Sequence, residues 1–436
     1  MAALTQDMRT GESPPSDGQG VRALVASALS GTLEVYDFVI FALLADVIGR
    51  LFFPPDTPAW FALVQALGIF SIGYLARPLG GLMFSSFADR FGRKQALVLT
   101  TFLMSASTLG VALTPTYATL GVGAPLLLIL LRLVQGAALG GEIPNAWTFA
   151  AEHAPPARVG MTCGVLGSGI TAGLAVGTLA MTALNWAFSP QEVADFAWRL
   201  PFLIGGVVGL AGLCLRRLLH ETPVFARLKE SELTPKKPPL KIILRDHRRG
   251  VGLSVVACWI HSGAVLVVGL LTPVLLQKLY GYTALQALAA SSVGTFFMFL
   301  GKIAGGFVID RLGVGRFYLF GGLFFGAASF VFYTFAGVSL PVLFALYALA
   351  GLSVGIGAAT PFIIVNAFPV AVRCTGVSLA YNISAVVFGA LTPVMVTALD
   401  AFHPMGHAWY VLFVAALACL FGLYLTMRGD RIAEDA

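Results

Sequence analysis

The chain has 436 residues, 58% of them hydrophobic and only 11% charged, with a net charge of +6. A soluble domain carries about 25% charged residues, so the composition excludes an ordinary soluble protein or nucleic-acid binder and indicates an integral membrane protein. Cys163, Cys214, Cys258, Cys374 and Cys419 stand singly without a CxxC pair, and HExxH, GxSxG and Walker patterns are absent. These absences point away from an enzyme, an ATP-driven pump and a resident metal or other cofactor.

The first 22 residues are polar and rich in Gly, Ser and Pro, and they read as a flexible tail with no cleavable signal peptide. A bilayer core of about 30 Å needs roughly 20 apolar residues per helix. Twelve stretches qualify: 23–49, 60–87, 95–114, 124–150, 160–185, 199–219, 251–277, 285–309, 317–336, 340–366, 376–399 and 408–427. The expected architecture is therefore all-α, twelve transmembrane helices in two pseudo-symmetric halves, 23–219 and 250–427. A basic linker at 220–249 joins them, and a short tail follows at 428–436.

Ionisable groups inside spans are costly, about 2.5 to 3.5 kcal/mol each on insertion scales, so they face a cavity or a partner. The first span carries Glu34 and Asp37, three apart on one helical side. The second carries Arg77, then ends at Asp89 in a short basic loop with Arg90, Gly92, Arg93 and Lys94. The fourth aligns Arg132, Gln135 and Glu142 along one side, with Gly136 and Gly140 at close-packing spacing. The linker is basic, with Arg227, Lys229, Lys236, Lys237, Lys241, Arg245, Arg248 and Arg249. The eighth span holds Lys302 and ends at Asp310, Arg311 and Gly313, repeating the Asp89 loop. Pro155 and Arg158 before Gly160 likewise recur as Pro369 and Arg373 before Gly376. A duplicated membrane unit follows.

With the Asp89 loop placed inside, the inner side receives 21 of the 27 Lys and Arg, and the outer side three, Arg50, Arg199 and Lys278. The positive-inside rule is satisfied, and both termini are expected in the cytoplasm. Arg77 and Arg132 offer planar forks suited to a carboxylate, with Lys302 a third cation. Asp37, Glu34 and Glu142 are candidate proton carriers, since burial and a neighbouring cation pull a carboxylate in opposite directions. The alternative is that these charges pair with one another as structural ion pairs. Asp89 and Asp310 are placed to cap a neighbouring helix N-terminus or to pair with Arg158 or Arg373.

Asp89-Arg90-Phe91-Gly92-Arg93-Lys94 resembles the loop signature of the major facilitator superfamily, and Asp310-Arg311-Leu312-Gly313 its second copy. Ser85 stands where that signature usually has Gly, whereas Gly306 keeps it. The resemblance implies that Asp89, Arg90, Gly92, Arg93, Asp310, Arg311 and Gly313 hold the inner gate closed, and Arg158 and Arg373 are grouped with them. Leu33-Glu34-Val35-Tyr36-Asp37-Phe38, Arg77-Pro78, Trp198-Arg199-Leu200-Pro201 and Glu221-Thr222-Pro223 are similar to the metabolite and proton symporters. The eleventh span, with Tyr381 and Asn382, most resembles the citrate and tricarballylate members of a branch that also carries α-ketoglutarate and shikimate. Ile143-Pro144-Asn145 departs from the Gly-rich run that often follows Glu142 there. The resemblance implies proton-coupled uptake of a small organic acid across a bacterial inner membrane by a functional monomer. Arg77, Arg132, Gln135, Lys302, Tyr381 and Asn382 are then the substrate candidates. A zwitterionic osmolyte importer, an exporter on the same fold and a non-transporting receptor are the rivals. Osmolyte importers often end in a coiled coil, and no heptads precede Ala436, which argues against them.

Overall fold

A computed structural model describes residues 17–231 and 239–429. Among the described residues, twelve helices are long and apolar enough to cross a membrane. They are α1 (Gly20–Leu43), α2 (Trp60–Phe91), α3 (Arg93–Leu113), α4 (Gly123–His153), α5 (Pro156–Ala187) and α6 (Arg199–Arg217) in the first half. The second half holds α7 (Arg248–Lys278), α8 (Leu285–Leu312), α9 (Val314–Phe335), α10 (Leu340–Asn366), α11 (Val370–Phe402) and α12 (Gly406–Met427).

The helix containing α1 begins at Asp17, inside the segment expected to be a tail, and residues 1–16 of that tail lie outside the described residues. Within the linker, Pro223–Glu230 and Pro239–Asp246 are short helices, and Lys236 and Lys237 lie outside the described residues. The 428–436 tail is described only to Gly429. Several spans run past their apolar stretches, α2 to Phe91 and α8 to Leu312, because a polar last turn still satisfies its backbone within the helix.

Within the first half α2 packs on α4, α1 on α5 and α3 on α6; in the second, α8 packs on α10 and α9 on α12. Small residues make the closest approaches possible. A Cβ added at Gly136 or Gly140 would strike the α2 backbone at Gly73 or Arg77. The halves meet along α5 against α8 and α2 against α11, where Gly160 and Gly164 face Gly306.

Candidate functional site

Arg77 lies on α2 beside Pro78, where α2 meets α11, and is buried. Its Nη2 is 3.3 Å from Glu34 Oε1 of α1, and its guanidinium lies 5.2 Å from the ring centre of Tyr74 and 5.8 Å from that of Tyr381. Trp147 of α4 packs edge-on against Tyr381, with ring centres 4.9 Å apart. Arg77 Nε and Nη2 and Glu34 Oε2 are buried without a hydrogen-bond partner among the described residues. Two opposite charges with unspent donors and acceptors therefore sit between aromatic faces at the junction of the halves.

Asp37 is spent by comparison. Its Oδ2 accepts from Arg132 Nη1 at 2.9 Å and Gln135 Nε2 at 2.7 Å, and its Oδ1 accepts from Thr108 at 3.2 Å. Arg132 also donates to Gln135 Oε1 at 2.5 Å, and its guanidinium lies 3.6 Å from the ring centre of Phe41, a face that a cation can rest on. The two arginines thus do not converge: each lies on its own carboxylate. Glu142 forms a third pair, its Oε1 accepting from Arg216 Nη1 at 3.0 Å and Ser30 Oγ at 2.8 Å. Lys302 of α8 is fully buried and donates to Gly167 O of α5 at 3.2 Å. Asn382 Nδ2 donates to Gly140 O at 2.8 Å across the halves.

At the end of the bundle that carries the Asp89 and Asp310 loops, two carboxylates cap helices of the opposite half. Asp89 accepts from the Cys374 and Thr375 backbone N–H groups at 3.1 and 2.8 Å, in the first turn of the α-helical part of α11, Arg373–Phe402. Asp310 accepts from the Gly160 and Met161 N–H groups at 2.6 and 2.8 Å, at the start of α5. A helix N-terminus favours a carboxylate there. Each loop turns through a left-handed glycine, Gly92 at φ 127° and Gly313 at φ 81°. Arg93 lies 3.4 Å from Asp89 and 3.5 Å from Glu152, donates to Val370 O at 2.6 Å, and rests over Phe225. Arg373 donates to Glu152 at 3.0 Å, so its partner is Glu152 rather than Asp89 or Asp310. Arg90 and Arg158 are exposed, and Arg311 lies over the Phe307 ring.

Glu152, Arg216, Glu221 and Tyr74 were not singled out from the sequence. Arg216 reads as a flanking cation at the end of a span. Glu221 and Thr222 did carry a signal, since they belong to a family-like phrase. Glu221 accepts from Lys94 N at 3.2 Å, and Thr222 donates to Glu152 at 2.7 Å.

Among the described residues, twelve spanning helices in two halves, joined by caps at one end and holding buried charge pairs, have the form of a membrane transporter. The chain belongs to the Major Facilitator Superfamily, whose profile matches residues 23–372. It is 29% identical to the proline/betaine transporter of Escherichia coli (strain K12), over 96% of this chain and 86% of that protein. It is 31% identical to the inner membrane metabolite transport protein YhjE of the same organism, over 93% of each chain. The fold matches that of the proton:xylose symporter XylE bound to 6-bromo-6-deoxy-D-glucose, with a TM-score of 0.74 at 16% identity, covering 95% of this chain and 96% of that one. These relatives do not support the narrower likeness to citrate and tricarballylate importers. Nor do the missing heptads outweigh a match to a proline/betaine transporter along nearly the whole chain.

Proposed function

We propose that this protein is a proton-coupled importer of a small zwitterion of the proline or betaine type, working by alternating access in a bacterial inner membrane. The observation that carries the reading is the Arg77–Glu34 pair, which keeps unspent atoms on both charges between Tyr74 and Tyr381. Arg77 takes the solute carboxylate, and Glu34 with the tyrosine faces takes its ammonium. Asn382 borders that site. Arg132 and Gln135 hold Asp37, the coupling carboxylate, and Glu142 is a further proton carrier. The names of the relatives support the choice of solute.

Asp89, Asp310, Arg93 and Arg373, together with the turns at Gly92 and Gly313, keep the cytoplasmic side closed. Arg90, Arg158 and Arg311 lie exposed or at the surface of that same face and contribute to the inside-positive charge. Both termini are cytoplasmic, and the protein works as a monomer. A second reading, uptake of a small organic acid, is favoured by Lys302, whose buried amine donates to a backbone carbonyl where α8 meets α5.

The test is uptake into proteoliposomes of labelled glycine betaine, proline, citrate, tricarballylate, α-ketoglutarate and shikimate under an inward proton gradient. Accumulation of glycine betaine or proline that collapses with a protonophore supports the zwitterion reading. Accumulation of an acid alone replaces it with the second reading, and binding without accumulation contradicts transport.

A further inference from the structure

A partly open cavity of about 30 Å³ lies within the first half, lined by residues of α1, α3, α4 and α6. That is room for about two waters, each needing roughly 10–15 Å³ and two or more polar partners. The walls supply those partners: Ser30, Asp37, Thr101, Ser105, Thr108, Glu142 and Arg216 all line it. All of the lining residues fall between Ala26 and Arg216, whereas the Arg77 site is shared with Tyr381 of the other half. Asp37 and Glu142 therefore open onto a compartment that the solute site does not share.

We propose that this chamber is a hydrated proton-binding compartment apart from the solute path, in which Glu142 takes the proton and Arg216 is its positioning residue. The proposal rests on the proton-coupled reading above and assigns that proton a route. Glu142 Oε1 is occupied by Ser30, Thr101 and Arg216, which orients the carboxyl group. Its Oε2 is buried with no hydrogen-bond partner among the described residues. Thr101, Ser105 and Thr108 follow one another at offsets of four and three along α3, so their hydroxyls share a face. Each hydroxyl both donates and accepts. The row begins at Glu142, through Thr101, and ends at Asp37, through Thr108.

A proton delivered by chamber water converts the Glu142 carboxylate to its neutral acid, while Arg216 stays a guanidinium. The proton arrives from Asp37, which lies nearer the outer side, through the hydroxyls and water, each of which gives up one proton as it takes another. The charged groups around this route are Arg216 from α6 on Glu142, Arg132 from α4 on Asp37, and Glu34 of α1, which pairs with Arg77 and also repels Glu142. Gly212 of α6 lines the chamber, and a Cβ there meets nothing within 4 Å. A larger apolar side chain at that position can fill the space.

The experiment is infrared difference spectroscopy of the full-length protein in lipid, titrated with acid in the absence of any solute. It follows the carbonyl stretch of protonated carboxyl groups, with folding checked by thermal unfolding. One titrating band is expected to be lost in Glu142→Gln. Arg216→Gln is expected to displace that band's midpoint by about one pH unit or more, and Arg216→Lys to restore most of the displacement. Gly212→Leu, which leaves Glu142 in place, is expected to abolish the titration and so serves if Glu142→Gln does not fold. Survival of every wild-type band in folded Glu142→Gln, or an unchanged titration in Gly212→Leu, overturns the proposal. Because no solute is present, failure of glycine betaine uptake would sink the solute assignment and leave this test standing. Wild-type uptake with no titrating band would sink the chamber alone.

Discussion

Arg77 and Arg132 are both buried guanidiniums, but their surroundings give them different work. Arg132 is enclosed by Asp37, Gln135 and Phe41, so it acts on its own half. Removing one member of a buried pair strands the other charge at a cost of about 3–5 kcal/mol. Arg132→Met is expected to lose about that much stability, measured by unfolding in detergent, and a loss below about 1 kcal/mol would contradict the pairing. Both arginines keep Nε and Nη2 unspent, but those of Arg77 lie at the junction of the halves, against Tyr381. Arg77→Lys gives up the planar fork and is expected to weaken glycine betaine binding about tenfold, or about 1.4 kcal/mol. Unchanged affinity by calorimetry would remove Arg77 from the solute site. The buried charges were legible in the sequence, but their pairings were not. Glu34 and Asp37 share one side of α1, yet three residues differ by about 60° around a helix. That is enough to send Glu34 to α2 and Asp37 to α4.

At the scale of elements, α7 departs most from regular geometry. Its Val265–Leu271 stretch is a π-helix, a wide turn that changes which carbonyls find partners along the helix. Side chains take up the difference: Tyr347 of α10 donates to Val268 O at 2.7 Å, and Thr272 of α7 itself to Val267 O at 2.8 Å. Tyr347→Phe leaves the Val268 carbonyl short of that donor, and about 1–3 kcal/mol of stability is expected to go with it. Wild-type unfolding in that variant would mean the hydroxyl is dispensable. Hydropathy marked a span at 251–277 but could not register a wide turn inside it, because Val, Leu and Gly are apolar in either helix. The glycine spacing of α4 was more informative. Gly136 and Gly140 match the close passage of α2, since only a residue without Cβ clears Gly73 and Arg77 there.

Across the whole molecule, duplication is written into the loops. The repeat of Asp89 at Asp310 was plain in the sequence, and capping of a neighbouring helix N-terminus was one of two expected uses. The structure makes that use reciprocal: each half caps a helix of the other, Asp89 on α11 and Asp310 on α5. Glu152, which gathers Arg93 and Arg373, stayed hidden because its partners lie far off in sequence. Asp89→Asn removes the charge from this closure, and opening at that end is expected to become more frequent. Cys374, fully buried beside Asp89, reports it: with the other four cysteines replaced by Ser, a maleimide should label Cys374 about tenfold faster in Asp89→Asn. Equal labelling rates would show that the cap does not hold the closure.

Coupling between proton and zwitterion is the central claim, and proton movement driven by solute tests it most directly. Glycine betaine is added outside proteoliposomes that enclose a pH-sensitive dye, with no proton gradient imposed. The wild-type protein is expected to acidify the interior as solute enters, and Asp37→Asn to lose that acidification. Entry of glycine betaine with no change of internal pH in the wild type, or the same acidification in Asp37→Asn, would contradict the account.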